Sequence, residues 1–375
     1  MQDMNNVSKI KDCYGCGVCS IVCTKKLISI VQDGDGFYAP HLEFQEQCTD
    51  CGLCIKVCAY SHEEVLACNT TPQGYAAWSS SDAIRHRCSS GGVGFEIGNS
   101  LLAEGYKLCG VRYEVSSNKA IHYIASTAED WEWSMGSKYI QSYTPDAFKS
   151  MSRKERFLVT GTPCQMDSFR RYLRMFNAEE NFVLMDFFCH GVPSKLVWDK
   201  YITESEKRIG KVQSVSWRSK EHGWNDSWVM TLQGCDGARL VSYRSQDDAF
   251  YQLFLGNQCL GKACYAHCKY KGLSSAADIR IGDLWGPTYQ NNREGVSALI
   301  GLTAKGQQVI AQTKGIECIS HNIDIVIEGQ MRHKLSYPSF MHPIQIFLAK
   351  TKIPIAFQAM LSKYSNKIKG RFHIL

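Results

Sequence analysis

The sequence predicts a multidomain chain of mixed α+β and α/β class. A small cysteine-caged module comes first, followed by a larger α/β domain that carries an antiparallel β insertion. Three observations predict this. One cysteine spacing occurs twice between positions 13 and 58. Beyond it, short β-rich apolar runs end in Gly/Pro-bearing loops and lead into helical stretches. A later segment alternates on both sides of a Gly-Cys-Asp-Gly turn.

Cys13, Cys16, Cys19 and Cys23 follow a C-x2-C-x2-C-x3-C spacing, and Cys48, Cys51, Cys54 and Cys58 repeat it. Three close cysteines put thiolates on one tight loop that caps three corners of a cubane. The fourth, a helical step later, faces away and serves the other cluster. The ligand sets are therefore Cys13, Cys16, Cys19 and Cys58 for one [4Fe–4S] cluster, and Cys48, Cys51, Cys54 and Cys23 for the other. Cys-Gly-Val-Cys at 16–19 against Cys-Gly-Leu-Cys at 51–54 extends the match beyond the ligands, an internal repeat of two half-domains. Zinc sites built only of cysteine instead show two separated C-x2-C knuckles. The proline that commonly follows the fourth cysteine is replaced by Thr24 and Ala59, which loosens the loop and removes no ligand. These residues read as a bacterial-type two-cluster ferredoxin module over 1–70, with a core separate from that of the rest of the chain. The polar stretch from Asn69 to Gly74 is its boundary.

The chain has 375 residues, more than one typical core, so the module must precede a larger domain. Eighteen cysteines without a signal peptide, ten of them outside the repeat, fit a reducing cytoplasm better than a disulfide scaffold. No run of 18 apolar residues predicts a spanning helix. A net charge of +6 is too mild to imply nucleic acid and is compatible with acidic ligands such as phosphates.

Residues 93–103 predict a helix and 106–113 a strand. The runs 156–160 and 182–188 predict strands ending in Gly161-Thr162-Pro163 and in Cys189-His190-Gly191-Val192-Pro193-Ser194, the latter leading into a helix through Ile209. Loops after such strand ends are where α/β folds bind ligands. Residues 212–245 predict an antiparallel insertion with a hairpin at Gly234-Cys235-Asp236-Gly237. In Asp278-Ile279-Arg280-Ile281-Gly282-Asp283, alternation puts the two isoleucines on one face of a strand and Asp278 and Arg280 on the other. Over the last thirty residues Ile344, Phe347, Ile353 and Phe357 mix with Lys350, Lys352, Lys363, Lys367, Lys369 and Arg371. A helix packed on the domain with a solvated lysine face is the expectation for this tail, ahead of contact with a membrane surface.

Arg87-Cys88-Ser89-Ser90-Gly91-Gly92 stands directly before the 93–103 helix, so hydroxyls, glycine amides and a helix N-terminus converge where an anion can sit. A plain serine cap and tight turn reads equally well. Cys164 and Cys189 each follow a predicted strand, and Cys259, Cys264 and Cys268 lie on one later segment. Cys164, Cys189, Cys264 and Cys268 are the preferred ligands of a third cluster, with Cys259 as substitute. The competing reading is that some are small buried hydrophobes. Cys68, Cys109, Cys235 and Cys318 fit no pattern.

Arg87 to Gly92, Gly136-Ser137-Lys138-Tyr139-Ile140-Gln141-Ser142, Gly161-Thr162-Pro163-Cys164-Gln165, the 189–194 run and Ala277 to Gly286 together resemble the coenzyme F420 hydrogenase/dehydrogenase β-subunit family, over nearly all of residues 10–290. The resemblance implies that 75–155 and 156–330 are the N- and C-terminal parts of that family's flavin-binding domain, followed by a basic tail, 331–375. It implies an iron–sulfur flavoprotein oxidoreductase that exchanges hydride with a two-electron partner, either coenzyme F420 or another small-molecule acceptor. The alternatives are a non-catalytic electron-transfer subunit wired to a ferredoxin or a catalytic subunit, and a reductase of polysaccharide biosynthesis that does not use F420. On this resemblance FAD is anchored by Ser89, Ser90, Gly91, Gly92, Ser137 and Lys138, faced by Tyr139 and Gln141, and bounded by Thr162 and Asp283. His190 and Lys138 are the candidate catalytic groups. Where the family often carries Arg-Pro ahead of the cysteine matched by Cys264, this chain has Gly261-Lys262.

Overall fold

The computed structural model describes residues 5–66 and 70–372, with side chains described as far as Tyr364. Cys68 and part of the expected boundary stretch lie outside the described residues. The N-terminal module holds a short antiparallel pair, β1 (Ile28–Gln32) and β2 (Tyr38–Leu42), and two one-turn helices, Val18–Val22 and Leu53–Lys56. Each of these helices begins at the left-handed glycine of its Cys-Gly-x-Cys run, Gly17 or Gly52. The repeat seen in the cysteines is therefore also a repeat of backbone shape.

The large domain is built on one nine-stranded mixed sheet. Its strands are β3 (Gln73–Ser79), β4 (Lys107–Glu114), β5 (Lys119–Ala125), β6 (Ser142–Tyr143), β7 (Phe157–Thr160), β8 (Phe182–Phe187), β12 (Ile279–Asp283), β13 (Ser297–Gly301) and β14 (Ile316–His321). They lie in the order β14-β3-β13-β12-β8-β7-β4-β5-β6. The central strands β4, β7, β8 and β12 run parallel, as strand–loop–helix succession predicts. The strands β13, β3 and β14 continue the sheet antiparallel on one side, and β5 pairs antiparallel with β4 on the other. Sequence 75–155 and sequence 156–330 thus contribute to the same sheet. β7 is buried over three of its four residues and β8 over its first five, the near-continuous apolar reading of strands covered on both faces. The remaining strands, β9 (Val212–Ser216), β10 (Val229–Gly234) and β11 (Arg239–Tyr243), make a separate antiparallel sheet, with the expected hairpin between β10 and β11.

The predicted 93–103 helix is Val93–Ala103, and the helix after β8 is Lys195–Ile209. Pro163–Met175 follows β7 through a reciprocal cap in which Thr162 and Gln165 exchange side-chain to backbone bonds, with proline at the first helical position. Local sequence therefore sets where each strand end stops, and that placement builds the site.

The expectation of two separate cores is overturned. Val7, Val18, Val22, Ile28 and Val57 of the module share one hydrophobic cluster with Phe148, Phe157, Phe169 and Leu184 of the large domain. Polar bonds seal the same seam. Gln141 accepts from the Tyr38 amide at 2.7 Å and donates to the Tyr14 carbonyl at 3.1 Å. Thr144 donates to the Cys16 carbonyl at 2.8 Å, and Lys269 to the carbonyls of Ala59 and His62. A module of some sixty residues buries too little surface to be robust alone, and docking supplies the remainder.

Asp278 and Arg280 share a face of β12 as the alternation requires, and both serve the fold. Arg280, fully buried, forms a two-pronged pair with buried Asp186 on β8, at 2.7 and 2.8 Å. Asp278 meets Arg170 at 2.9 Å and accepts from the Leu184 amide and Thr303.

Candidate functional site

Four strand-end loops and the loop preceding the Val93–Ala103 helix surround one cavity of about 500 Å³. That volume is in the range of a cofactor pocket. Ser89, Ser90 and Gly92, then Ser137, Lys138 and Tyr139, then Thr162, His190 and Asp283 all line it. Motifs up to two hundred residues apart thus converge on a single space.

Gly92 caps the helix in the left-handed conformation (φ 86°) with no side chain bonded to the first turn, and the cavity is lined from Gly92 through Phe95. The first-turn amides of such a helix end favour an anion. Ser89 accepts from the Ser137 amide at 2.8 Å and bonds its hydroxyl at 3.0 Å, latching the two loops together. Lys138 donates to the carbonyls of Trp133 and Met135, and burial lowers its pKa to about 7. Lys220 holds the loop from behind through the carbonyls of Arg85, Ser90 and Glu294, its pKa lowered by burial to about 8. Cys88 lies beside both lysines, and burial pushes its thiol up to about 11.

Two expected site residues stand elsewhere. Gly91 does not line the cavity: its amide donates to Ser297 Oγ at 2.9 Å, and a Cβ there would sit 2.5 Å from the Ala77 carbonyl oxygen. It is glycine because the loop crosses the sheet at contact distance. Gln141 does not face the cavity either, since both ends of its amide hold the module against the domain.

The far wall is aromatic. Tyr139 stacks on Trp228 at 5.3 Å and packs on Phe254. Asp283 accepts from Arg218 at 3.0 Å and Trp224 at 2.7 Å, so its carboxylate is already held in place. His190 packs edge-on to Phe254, its Nε2 is buried without a hydrogen-bond partner, and burial lowers its pKa to about 4. Lys271, Trp228, Phe254, Tyr270 and Trp285 also line the cavity, and sequence reasoning did not find them. They come from the insertion and from the irregular 266–276 stretch, where no periodicity or motif marks them.

The scattered cysteines meet next door. A smaller cavity is lined by Cys164, Cys189, Cys264 and Cys268 together, and it shares Thr162, Cys189, Gly191, Tyr270 and Lys271 with the large one. A bridge between Pro193 and Leu260 brings the 189–194 loop against the 260–264 segment. Burial pushes Cys189 up to about 11 and Cys264 up to about 12, and raises Cys164 well above the ordinary thiol value. The neighbouring thiols act in the same direction. Cys259 lies apart, fully buried in the core with Trp198 and Phe250.

On its other side the four-thiol cavity is lined by Cys13 and Tyr14. Cys13 also lines a third, small cavity with Cys16, Cys19 and Cys58, which brings the fourth cysteine of the second run to the first run, as the spacing predicts. Burial raises the pKa of Cys13 to about 12 and that of Cys16 to about 11, with Cys58 adding to both. Cys54 is among the charge neighbours of Cys19, and Cys51 of Cys54, so the second ligand group adjoins the first. Lys262, in the Gly-Lys that replaces Arg-Pro, stands outside the large cavity and pairs with Asp12 at 3.2 Å beside Cys13.

All the described cysteines are free thiols. Among the described residues no three His, Cys, Asp or Glu side chains stand close enough to grip a single ion. A cubane has a different requirement, because its thiolates attach to four separate corners. Buried, mutually repelling thiols with no disulfide between them fit such a group, since metal binding removes the proton that burial retains. Cys109 is buried in the sheet, and Cys235 and Cys318 are exposed.

Residues 12–61 match the family model of the 4Fe-4S dicluster domain. Residues 154–321 match the family model for the C terminus of the coenzyme F420 hydrogenase/dehydrogenase beta subunit. Among solved structures, the chain is similar to one from the F420-reducing [NiFe] hydrogenase complex of Methanosarcina barkeri, studied with xenon. The identity is 16% over 84% of this chain and 95% of that one, with a TM-score of 0.48. No curated protein matches.

Proposed function

We propose, for a chain that belongs to the coenzyme F420 hydrogenase/dehydrogenase β-subunit family and carries a 4Fe-4S dicluster domain ahead of the family's C-terminal region, that it is an iron–sulfur flavoprotein oxidoreductase. In this reading FAD occupies the large cavity, and three [4Fe–4S] clusters line up from the module to its edge. One observation carries the reading: the four-thiol cavity shares Cys13 and Tyr14 with the module's cage and Cys189, Tyr270 and Lys271 with the large cavity. A contiguous path for electrons needs this sharing of walls.

FAD, when bound, supplies exchange between a two-electron hydride partner and single electrons. The chain's own residues provide the setting. Ser89, Ser90, Gly92 and the first turn of the Val93–Ala103 helix offer hydroxyls and amides to a pyrophosphate, with Ser137 and Lys138 beside them. Tyr139, Trp228 and Phe254 exclude water from one wall. His190 is neutral at pH 7 and keeps Nε2 available for one hydrogen bond, while Lys271, bonded to the carbonyls of Cys189 and His190, sets a positive charge at the junction of the two cavities. Thr162 Oγ1 contacts Cys164 Sγ at 3.2 Å on the same junction. The two-electron partner is a deazaflavin of the F420 type or another small acceptor, and a ferredoxin or a catalytic subunit meets the module. Among the described residues no helix is long and apolar enough to cross a membrane.

Anaerobic purification with iron, sulfide and flavin analysis tests the proposal. About twelve irons per chain, four for each of three cubanes, together with bound FAD, are expected. Iron without flavin would leave a chain that only conducts electrons to a partner enzyme.

A further inference from the structure

The C-terminal helix, Ile355–Phe372, is turned the opposite way from an ordinary surface helix. Its inner face buries Gln358 (0% exposed) and Ser362 (1%), while Phe357 (42%), Met360 (44%) and Tyr364 (60%) face outward. Ile353, Phe357, Met360 and Tyr364 recur at the spacing of one helical stripe. The preceding helix, Met341–Ala349, is joined to it by a bond from Gln345 to the Gln358 carbonyl at 3.0 Å, and it leaves Phe347 exposed as well. The expectation of a packed helix with a solvated lysine face is therefore half met: the helix is packed, but its solvent stripe is apolar.

Charge is concentrated in the same segment. Residues 341–375 contain Lys350, Lys352, Lys363, Lys367, Lys369 and Arg371 and no Asp or Glu, so the net +6 of the whole chain resides there and residues 1–340 are balanced. Lys350 and Lys363 pair with exposed Asp35 and Asp247, and Lys352 is exposed.

We infer that this face adsorbs to an anionic lipid surface, the apolar stripe entering the headgroup region and the basic residues meeting lipid phosphates. An apolar stripe rimmed by cations is the pattern of an interfacial helix. A twofold contact with a second copy would bring two such basic segments together, which like-charge repulsion opposes.

Co-sedimentation of the full holoprotein with vesicles tests this. Vesicles containing about 30% phosphatidylglycerol should bind the protein, pure phosphatidylcholine should not, and about 0.5 M salt should release it. The double change Phe357→Ser/Tyr364→Ser should weaken binding by about tenfold or more with iron content unchanged, because it removes buried apolar area at the interface. Equal binding by the wild type and the double variant would overturn the proposal. So would failure to bind anionic vesicles, binding to soluble heparin alone, or light scattering that shows a dimer broken by the same changes.

Discussion

The module and the large domain gather thiols by opposite means. In the module, eight cysteines come from two eleven-residue runs whose backbone shape is fixed locally by Gly17 and Gly52. In the large domain, Cys164, Cys189, Cys264 and Cys268 meet only because β7 and β8 run parallel and end together, and because the bridge from Pro193 to Leu260 delivers the later segment to that edge. The first kind of cage is a property of a short peptide. The second is a property of the folded sheet, so it should fail when the sheet fails.

The largest expected effect exploits that difference. Asp186→Ala leaves the Arg280 guanidinium buried without its two-pronged partner, a loss of about 3–5 kcal/mol. Denaturant unfolding of the anaerobic protein should show the loss, and the module should unfold in the same transition because Val18 and Val22 share a core with Phe157 and Phe169. Retention of the N-terminal clusters through unfolding of the domain would restore the picture of independent cores.

Next in size is the separation of cages. Cys189→Ser or Cys264→Ser should remove about four irons per chain and spare the module, whereas Cys16→Ser should disable the Cys13–Cys16–Cys19–Cys58 cage and leave the four-thiol site. Iron analysis with low-temperature magnetic resonance distinguishes the two. Full iron content in both Cys189 and Cys264 variants would return those cysteines to the core.

The same contrast explains what was legible. The module could be read from spacing because its ligands are local. The helices, the parallel strands and the insertion hairpin were legible because propensity and period agreed with the fold. Gly91 and Gln141 were assigned to the cavity because a motif groups neighbours in sequence, yet adjacent residues in a crossing loop point to different sides. Gly91 meets Ala77 and Ser297 on β3 and β13, and Gln141 meets Tyr14 and Tyr38 in the module. Lys271, Trp228 and Tyr270 carried no signal, since only tertiary packing brings an irregular stretch and an insertion to the strand ends. The shared core was illegible for the same reason: Val18 reads as an apolar module residue whichever partner covers it.

A smaller effect is expected at the loop itself. Gly91→Ala places a methyl group 2.5 Å from the Ala77 carbonyl oxygen and 2.9 Å from the Ser297 amide, so the Ser89-Ser90 segment must shift and flavin retention should fall. A carboxylate is not needed for the effect, because the obstruction is steric. Flavin occupancy by absorbance after gel filtration measures it, and unchanged occupancy in Gly91→Ala would move the phosphate anchor away from this loop.

The smallest effect at neutral pH comes from His122 on β5, which no sequence feature marked. Its ring packs on Phe148, its Nε2 meets the Thr160 carbonyl at 3.0 Å, and burial lowers its pKa from 6.5 to about 4. A depressed folded-state pKa means that the unfolded chain binds the extra proton first as pH falls. The associated stability is complete above pH 6.5 and is lost progressively between pH 6.5 and about 4. At pH 5 the loss amounts to about 2 kcal/mol. His122→Asn keeps a donor near Thr160 and cannot titrate, so its denaturation midpoint should change less than that of the wild type between pH 7 and pH 5, with other acid-sensitive groups common to both proteins. Parallel pH profiles for the two would show that His122 is protonated or hydrated in the folded protein, and that the large domain, unlike the module with its acid-sensitive thiolates, carries no buried proton switch at this strand.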